Sequence, residues 1–447
     1  MSVLFKGYDD GNTLNTDLLH RAIYDYAGKE TLVIPEGVYL TGPLMIPSDS
    51  HIILEKGAVL KFADDFDLYP PVKTRWEGVD CYAMHPCVWI ENAENVILEG
   101  EGTLNGGGEK WWSHIMTWKN GGRPSEPVLE CEKRLAVLNP DYRNQASGGG
   151  GRECQFLRPP LLQIYRSRNV TVKGITLTSS PFWNLHPVYS DNVILDGVKI
   201  VNPSDSPNTD GIDVESCNYV TIRNCFVDVG DDGIALKSGS GLEALKTKSP
   251  TTHVLVEGCT VKSAHGGFTI GSETACGFED VTVRNCNFDG TDRGVRIKTR
   301  RGRGGHIRNI RVSDITMKNV ICPITIMMFY KCGSDDSRLY SLFKQPIDET
   351  TPIIEDITVS GVRAQGCRAG AGLIAGLPEM PVKNVSISDC VLLVSDRVEE
   401  GLETEMFAGL PETDYRGFRI AFAENVRFEN NTVNVEPPLK VEDLEQR

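Results

Sequence analysis

The segment NVTVKGI, Asn169 to Ile175, places Val170 and Val172 around a threonine and then turns at Gly174 before another apolar residue, Ile175. Alternation with a period of two marks a short strand that buries one face. The glycine marks a bend, because it enters backbone conformations that other residues avoid. The same pattern returns in NVILDGV from Asn192, YVTIRNC from Tyr219, HVLVEGC from His253, DVTVRNC from Asp280, NIRVSDI from Asn309, DITVSGV from Asp356 and NVSISDC from Asn384. The steps run mostly from roughly two to three dozen residues, the size of repeat that indicates a solenoid. Each strand is too short to bury its own face, so the copies must stack. The fold class expected is all-β, a right-handed parallel β-helix.

A second template recurs between these strands. NTDGIDVES from Asn208, GDDGIALKSG from Gly230, AHGGFTIGS from Ala264 and TDRGVRIKT from Thr291 align without gaps on Gly211, Gly233, Gly267 and Gly294. Neighbouring strands lie about 4.8 Å apart, so residues of one column face each other across rungs. One column reads Thr209, Asp231, His265, Asp292 and the next Asp210, Asp232, Gly266, Arg293. Beyond the glycines the outward positions read Asp213, Ala235, Thr269, Arg296 and then Glu215, Lys237, Gly271, Lys298. A plain solvated face would intersperse charges. Here Asp210, Asp231 and Asp232 fall within one or two strand spacings, where carboxylates resist ionising together. Separated pKa values are what a general acid and a general base require.

The remaining composition fits one large body. The 447 residues are 40% hydrophobic and include 44 glycines and 24 prolines, enough for a sizeable core and many turns. A single domain over 1–447 is expected, with a cap over about 1–30, rungs over 31–435 beginning at TLVIPEGVYLTGPLMI, and a polar tail over 436–447. Leu18, Leu19, Ala22, Ile23 and Tyr26 share one helical face, suited to closing the open end of a stack. MSVLFKGYDD has no basic region followed by an apolar one, and no run is long enough to cross a membrane. The chain is therefore expected in the cytoplasm, with no membrane partner. Of the 13 cysteines, Cys225, Cys259, Cys286 and Cys390 share the register of Ile175, Val198, Ile315 and Val362, and read as a stacked apolar ladder. Their spacing does not suggest a metal or disulfides, and no metal or cofactor is expected.

The formal charge is -15, yet Arg293, Arg296, Lys298, Arg300, Arg301, Arg303 and Arg308 cluster within one rung and its turn. A local cationic patch on an anionic protein suits a small acidic substrate better than nucleic acid, which wants a broader basic footprint. Arginine's planar fork fits carboxylates. Trp111 and Trp112 suit either sugar stacking or loop packing, the latter being commoner for aromatics. His186, outward beside Asn184, suits either the site or a structural hydrogen bond. SGGGGR from Ser147 lacks the lysine of a phosphate loop and reads as a flexible loop.

NTD at Asn208, DD at Asp231, HG at His265 and RIK at Arg296, in that order on the expected β-helix, resemble the signature segments of the polygalacturonases, glycoside hydrolase family 28. GGGEKWW from Gly106, SPFWNLHPV from Ser180 and TRRGRGG from Thr299 are similar to segments of bacterial exo-acting members. Many members read GHG where this chain has Ala264-His265-Gly266. The resemblance implies that Asp231 is the general acid, that Asp210 and Asp232 activate water for inverting hydrolysis, and that His265 tunes or orients the acid. It implies that Arg296 and Lys298 hold the substrate carboxylate. Asn208, His186, Lys237, Arg300, Arg301 and Arg303 are further substrate-binding candidates, the substrate being a galacturonic-acid-containing oligosaccharide. Adjacent rungs bring the carboxylates closer than the roughly 6.5 to 9.5 Å usual for inverting enzymes.

Other readings stay open. A rhamnogalacturonan or xylogalacturonan hydrolase would share the fold, with less need of the RIK cations. A pectate lyase would need calcium and a base acting beside the carboxylate, and a carbohydrate-binding β-helix would not need the three aspartates. About four dozen residues lie between GGGEKWW and the rung near Leu161, and another insertion follows Met328. Long insertions in a solenoid gather on one face, often the binding face. They are expected to wall the groove into a pocket for exo action, with the TRRGRGG arginines reaching a terminal sugar.

Overall fold

The computed structural model describes residues 1–122 and 124–444, so 445–447 of the expected tail lie outside the described residues. The chain divides into two units, Met1–Asp231 and Asp232–Arg447. Each winds through three parallel sheets in turn, as expected for a right-handed parallel β-helix. In the first unit the first sheet runs from Ser2–Leu4 to Asn218–Arg223, the second from Gly37–Thr41 to Phe226–Asp228, and the third from Leu44–Met45 to Ile212–Glu215. In the second unit they run from Thr251–Glu257 to Ala423–Glu429, from Thr260–Lys262 to Thr432–Val433, and from Ile234–Lys237 to Leu439–Glu442.

Register follows the repeat. Val96, Val170, Val193 and Val220 pair in succession, and so do Leu98, Val172, Leu195 and Ile222. In the second unit Val254, Val281, Ile310, Ile357 and Val385 do the same. All of these are buried. A slip of one residue would turn every one of them outward. The bend after each strand is a single left-handed residue, at Gly174, Gly197 and Asn224, then Gly258, Asn285, Asp314, Gly361 and Asp389. That conformation costs most residues roughly 1–2 kcal/mol, and glycine, asparagine and aspartate bear it best. The first residue of each repeat is left-handed too, Asn169 at 55° and Asn192 at 56° among them. Asn192 Nδ2 donates to Asn169 Oδ1 at 2.7 Å, and Asn169 Nδ2 to Asn95 Oδ1 at 3.1 Å, a side-chain ladder along the corner.

Cys225, Cys259, Cys286 and Cys390 are buried free thiols in the column of Ile175, Val198, Ile315 and Val362. The helix Thr16–Tyr26 buries Leu19 and Ile23. Three features depart from expectation. A strand, Ser2–Leu4, precedes the helix and pairs with Thr31–Ile34. The segment read as a polar tail supplies the strand Leu439–Glu442, paired with Phe418–Ala421. The insertion after Gly106 is partly helical, with helices at Glu109–Gly121 and Glu130–Leu138.

Trp111 in that insertion is wholly buried against Phe66, Tyr69 and Phe156, while Trp112 Nε1 donates to the Ser180 carbonyl at 2.8 Å. Both pack the insertion. The glycine run read as flexible is anchored, since the Gly148 and Gly150 amides donate to the two Glu77 oxygens at 2.9 and 2.7 Å. Among the described residues no helix is long and apolar enough to cross a membrane.

Candidate active site

In the first unit, Ile212 and Val214 of the third sheet point inward, leaving Asp213 and Glu215 outward, yet all four are buried. The cover is the antiparallel hairpin Pro71–Trp76 and Val79–Met84. From it Thr74 Oγ1 donates to Gln163 Oε1 at 2.7 Å, and Arg75 Nη1 reaches Ser216 Oγ at 3.0 Å and Glu215 at 3.4 Å. His186 lies between, with Nδ1 3.1 Å from Gln163 Nε2 and Nε2 3.2 Å from Glu215 Oε2. An amide donating to Nδ1 leaves Nε2 to carry the hydrogen toward Glu215. This network uses both ring nitrogens of His186 within the protein, the structural alternative to a place on the substrate.

The acidic end of the same rungs is built from backbone. Asn184 Nδ2 donates to the carbonyls of Thr209 and Asp210 at 3.2 and 2.9 Å, and Asn202 Nδ2 holds Asn184 Oδ1 at 2.9 Å. Beneath lies Arg158, fully buried, whose Nη1 donates to the Pro181 and Pro207 carbonyls, both at 2.9 Å, and whose Nη2 donates to Asn208 Oδ1 at 2.7 Å. Asn208 is half-buried, and its Nδ2 has no hydrogen-bond partner among the described residues. Asp210 is buried and Asp231 half-buried, with carboxylate oxygens within 4.8 Å of each other. Nothing local in the sequence singles out the long-range contacts of Arg158 and Arg75: Arg75 meets Glu215 and Ser216 across 140 and 141 residues, and Arg158 meets Asn208 across 50.

In the second unit the cations and carboxylates interlock. Asp232, the residue after Asp231, is 1% exposed. Its Oδ1 accepts from Arg296 Nη1 at 3.0 Å and Thr269 Oγ1 at 3.1 Å, and its Oδ2 from Lys298 Nζ at 2.7 Å. Burial opposes its ionisation, but Lys298, Arg296 and Lys237 outweigh burial and hold this carboxyl well below the usual range. Arg296 also forks onto Glu405, at 2.8 and 2.6 Å. Burial works against that carboxylate as well, yet Arg296 draws it down to about 2. The Tyr330 ring centroid lies 5.4 Å from the Arg296 guanidinium and 5.0 Å from Lys298 Nζ. Register agrees with the aligned templates, since Ala235, Thr269 and Arg296 pair in succession.

Gly266 shows why a glycine follows His265. A Cβ there would stand 2.1 Å from Thr269 Oγ1 and 2.9 Å from Asp232 Oδ1, so a side chain would displace the clamp on Asp232. His265 itself is exposed, with its carbonyl accepting the Arg293 amide at 3.2 Å.

Two segments roof this face. The Tyr330 and Phe407 backbones bridge, the Lys331 amide donates to the Met406 carbonyl at 3.1 Å, and the Ala408 amide donates to Phe329 at 3.1 Å. Arg293 donates to the carbonyls of Glu403 and Thr404.

Four members of the expected substrate set, Lys237, Arg300, Arg301 and Arg303, have partners within the protein. Arg300 donates to the carbonyls of Cys332 and Arg301, and Arg301 to Glu379 and the Leu339 carbonyl. Arg303 Nη1 donates to Ser240 Oγ at 2.7 Å, and Lys237 to Glu273 at 3.2 Å. All four are buried; Arg300 and Arg301 tie the insertions down, because a guanidinium has donors enough to hold several acceptors at once, whereas Arg303 Nε and Nη2 have no hydrogen-bond partner among the described residues. Burial and the neighbouring Arg303 push the Arg300 guanidinium down to about 10. Lys298 differs, with one hydrogen on Asp232 and no second hydrogen-bond partner among the described residues. Glu405 was missed, since 109 residues separate it from Arg296.

The family model of the glycosyl hydrolases family 28 matches residues 143–400. A probable polygalacturonase of Vitis vinifera is 28% identical over 408 residues, covering 89% of this chain and 74% of that protein. An endo-polygalacturonase of Pectobacterium carotovorum subsp. carotovorum is 31% identical over 304 residues, 66% of each chain. Across the first three curated relatives the chain spans 48% to 74% of their lengths. Among solved structures, the hyperthermoactive exopolygalacturonase of Thermotoga maritima matches with a TM-score of 0.76 at 28% identity, over 97% of this chain and 92% of that one. Since the family model matches more than half of its length, this chain belongs to the glycosyl hydrolases of family 28.

Proposed function

We propose that the chain hydrolyses α-1,4-linked galacturonide chains with inversion, removing sugar from a chain end. The observation that carries the reading is the pair Asp210 and Asp231, whose oxygens lie within 4.8 Å. Two carboxylates so close do not ionise together, so one keeps its proton and the other is ready to take one. Asp231, the more exposed, donates its proton to the glycosidic oxygen. Water adds its oxygen to the anomeric carbon and loses a proton to Asp210, the glycosidic C–O bond breaks, and the leaving sugar departs with a hydroxyl. Asp232 is too strongly acidified to take a proton efficiently. Its fixed negative charge orients the water and steadies the positive charge that develops on the sugar ring. His265 orients the acid, while Lys298 and Asn208 meet the substrate.

Exo action is supported by the insertions. The first unit carries a helical insertion and the second carries bridged segments around Tyr330 and Phe407, and long insertions in a solenoid gather on one face, often the binding face, whereas an endo enzyme needs an open groove. The Thermotoga maritima protein is named an exopolygalacturonase, and the Pectobacterium relative an endo-polygalacturonase.

Products from digalacturonate, trigalacturonate and rhamnogalacturonan oligomers, followed by NMR, test the reading. The expected first product is the β-anomer of galacturonate. The α-anomer overturns inversion, an unsaturated product absorbing in the near ultraviolet overturns hydrolysis, and cleavage of rhamnogalacturonan alone overturns the substrate. On polygalacturonate, monomer from the first minutes with slow loss of viscosity is expected, and early mixed oligomers overturn exo action.

A further inference from the structure

Arg296 serves two carboxylates at once. Its Nε and Nη2 donate to the two Glu405 oxygens at 2.8 and 2.6 Å, while Nη1 donates to Asp232 at 3.0 Å. Glu405 has no exposed surface. It also accepts from Thr325 Oγ1 at 3.2 Å and from the Met406 amide at 2.8 Å, and lies 3.6 Å from Arg293 Nε. It stands beyond residue 400, where the family match ends, in the roofing segment bridged to Tyr330.

We propose that Glu405 is a positioning residue for the hydrolytic site: by taking two of the three Arg296 nitrogens it fixes the guanidinium plane, and so the place where Arg296 holds Asp232, leaving Lys298 as the cation that meets the substrate carboxylate. The inference rests on the reading of Asp232 as a carboxylate of the reaction. A fork-to-fork pair restricts orientation as well as distance. With Glu405 neutralised, Arg296 turns its terminal nitrogens either onto Asp232 or toward an anionic sugar. Losing the Glu405 charge makes a buried cluster that already holds Arg293, Arg296 and Lys298 beside Asp232 more positive by one. Substrate anions then bind at least as well, while the carboxylate that orients water is misplaced. A merely loosened roof does the reverse, weakening binding before turnover.

The test compares Glu405→Gln, Arg296→Gln and the double variant on trigalacturonate. Glu405→Gln is expected to lower kcat by about 100-fold, the usual effect of a 1 Å misplacement, with no rise in KM. In the Arg296→Gln background the same change is expected to add nothing, because Glu405 acts through Arg296. Equal fold losses in both backgrounds, or a raised KM with kcat unchanged, overturn the proposal. Nitrogen-15 NMR of the Arg296 side chain needs no turnover: separate Nη signals are expected in the parent protein and averaged ones in Glu405→Gln. Separate signals in both overturn the fixing role, whereas a parent protein that cleaves no galacturonide overturns the reaction and leaves this result to judge Glu405.

Discussion

The third sheet carries the same inward residues in both units, Ile212 and Val214 in the first and Phe268, Ile270, Val295 and Ile297 in the second, all buried. Outward, the two differ. The first unit sets Asp210 and Asp231 side by side and buries Arg158 and, within the covering hairpin, Arg75. The second buries Lys237, Arg296, Lys298, Arg300, Arg301 and Arg303, whose partners include the carboxylates of Asp232, Glu273, Glu379 and Glu405. The inward column supplies the hydrophobic stabilisation and the register. The outward column has to satisfy only its own electrostatics, so one rung template carries close-set carboxylates in one unit and a buried cluster of cations in the other.

That contrast breaks first at Asp231. Asp231→Asn is expected to lower turnover about 10²–10⁴-fold, the usual contribution of a general acid, while the thermal midpoint barely moves because the residue is half-buried and outside the core. Near-normal release of reducing ends by the variant would remove the acidic unit from the chemistry.

Asp232 should respond in the opposite way, through stability. Asp232→Ala leaves Lys298 buried without its carboxylate and is expected to cost about 3–5 kcal/mol, read from denaturant unfolding. Its pH signature follows from the depressed carboxyls. Asp232 and Glu405 titrate well below the roughly 3.9–4.3 of unfolded carboxyls, so their stabilisation is full above that range and falls as pH drops below it, that of Glu405 toward about 2 and that of Asp232 further down still. The thermal midpoint should fall steeply over that interval in the parent protein and more gently in Glu405→Gln. Parallel curves would mean that the cation cluster does not hold these acids.

Lys298→Ala sharpens the comparison on the substrate side. A charged hydrogen bond is worth about 1.5–3 kcal/mol, so kcat/KM on polygalacturonate should drop roughly 10- to 100-fold. A methyl-esterified substrate should be nearly indifferent to the change, and equal losses on both would make Lys298 purely a partner of Asp232.

The smallest effect belongs to the shared scaffold. Asn192→Gly keeps the left-handed corner and is expected to shift stability by under about 1 kcal/mol, whereas Asn192→Val should cost roughly 1–2 kcal/mol, with activity unchanged in both. A kinetic change would mean that the corners are not independent of the outward face.

Much of this was legible in the chain itself. The repeat of two apolar residues and a glycine, asparagine or aspartate gave the strands and their corners, because both are local requirements. The aspartates and the RIK cations were legible because stacking aligns the columns. The Ser2–Leu4 and Leu439–Glu442 strands were not, since short segments take their pairing from a neighbour rather than from a pattern of their own. Glu405, Arg158 and Arg75 were hidden for a related reason: a buried ion pair or hydrogen bond between residues far apart in the chain leaves no spacing to read. The partners of the TRRGRGG arginines within the protein were not legible, because composition speaks of charge while carbonyl partners are silent in sequence.

The single-residue corner that closes each NVTVKGI repeat has a consequence for change over time. Between the first and second sheets the chain turns on one left-handed residue, at Gly174, Gly197, Gly258 and Gly361 among others. At the ends of the third sheet it makes long excursions, as from Met327 to Ile353 and from Val394 to Phe418. New sequence can therefore enter beside the reactive face without disturbing the spine opposite it. A grafted excursion of different length between 329 and 352 would change what borders that face while the winding stays as it is, so recognition and folding can diverge separately in this architecture.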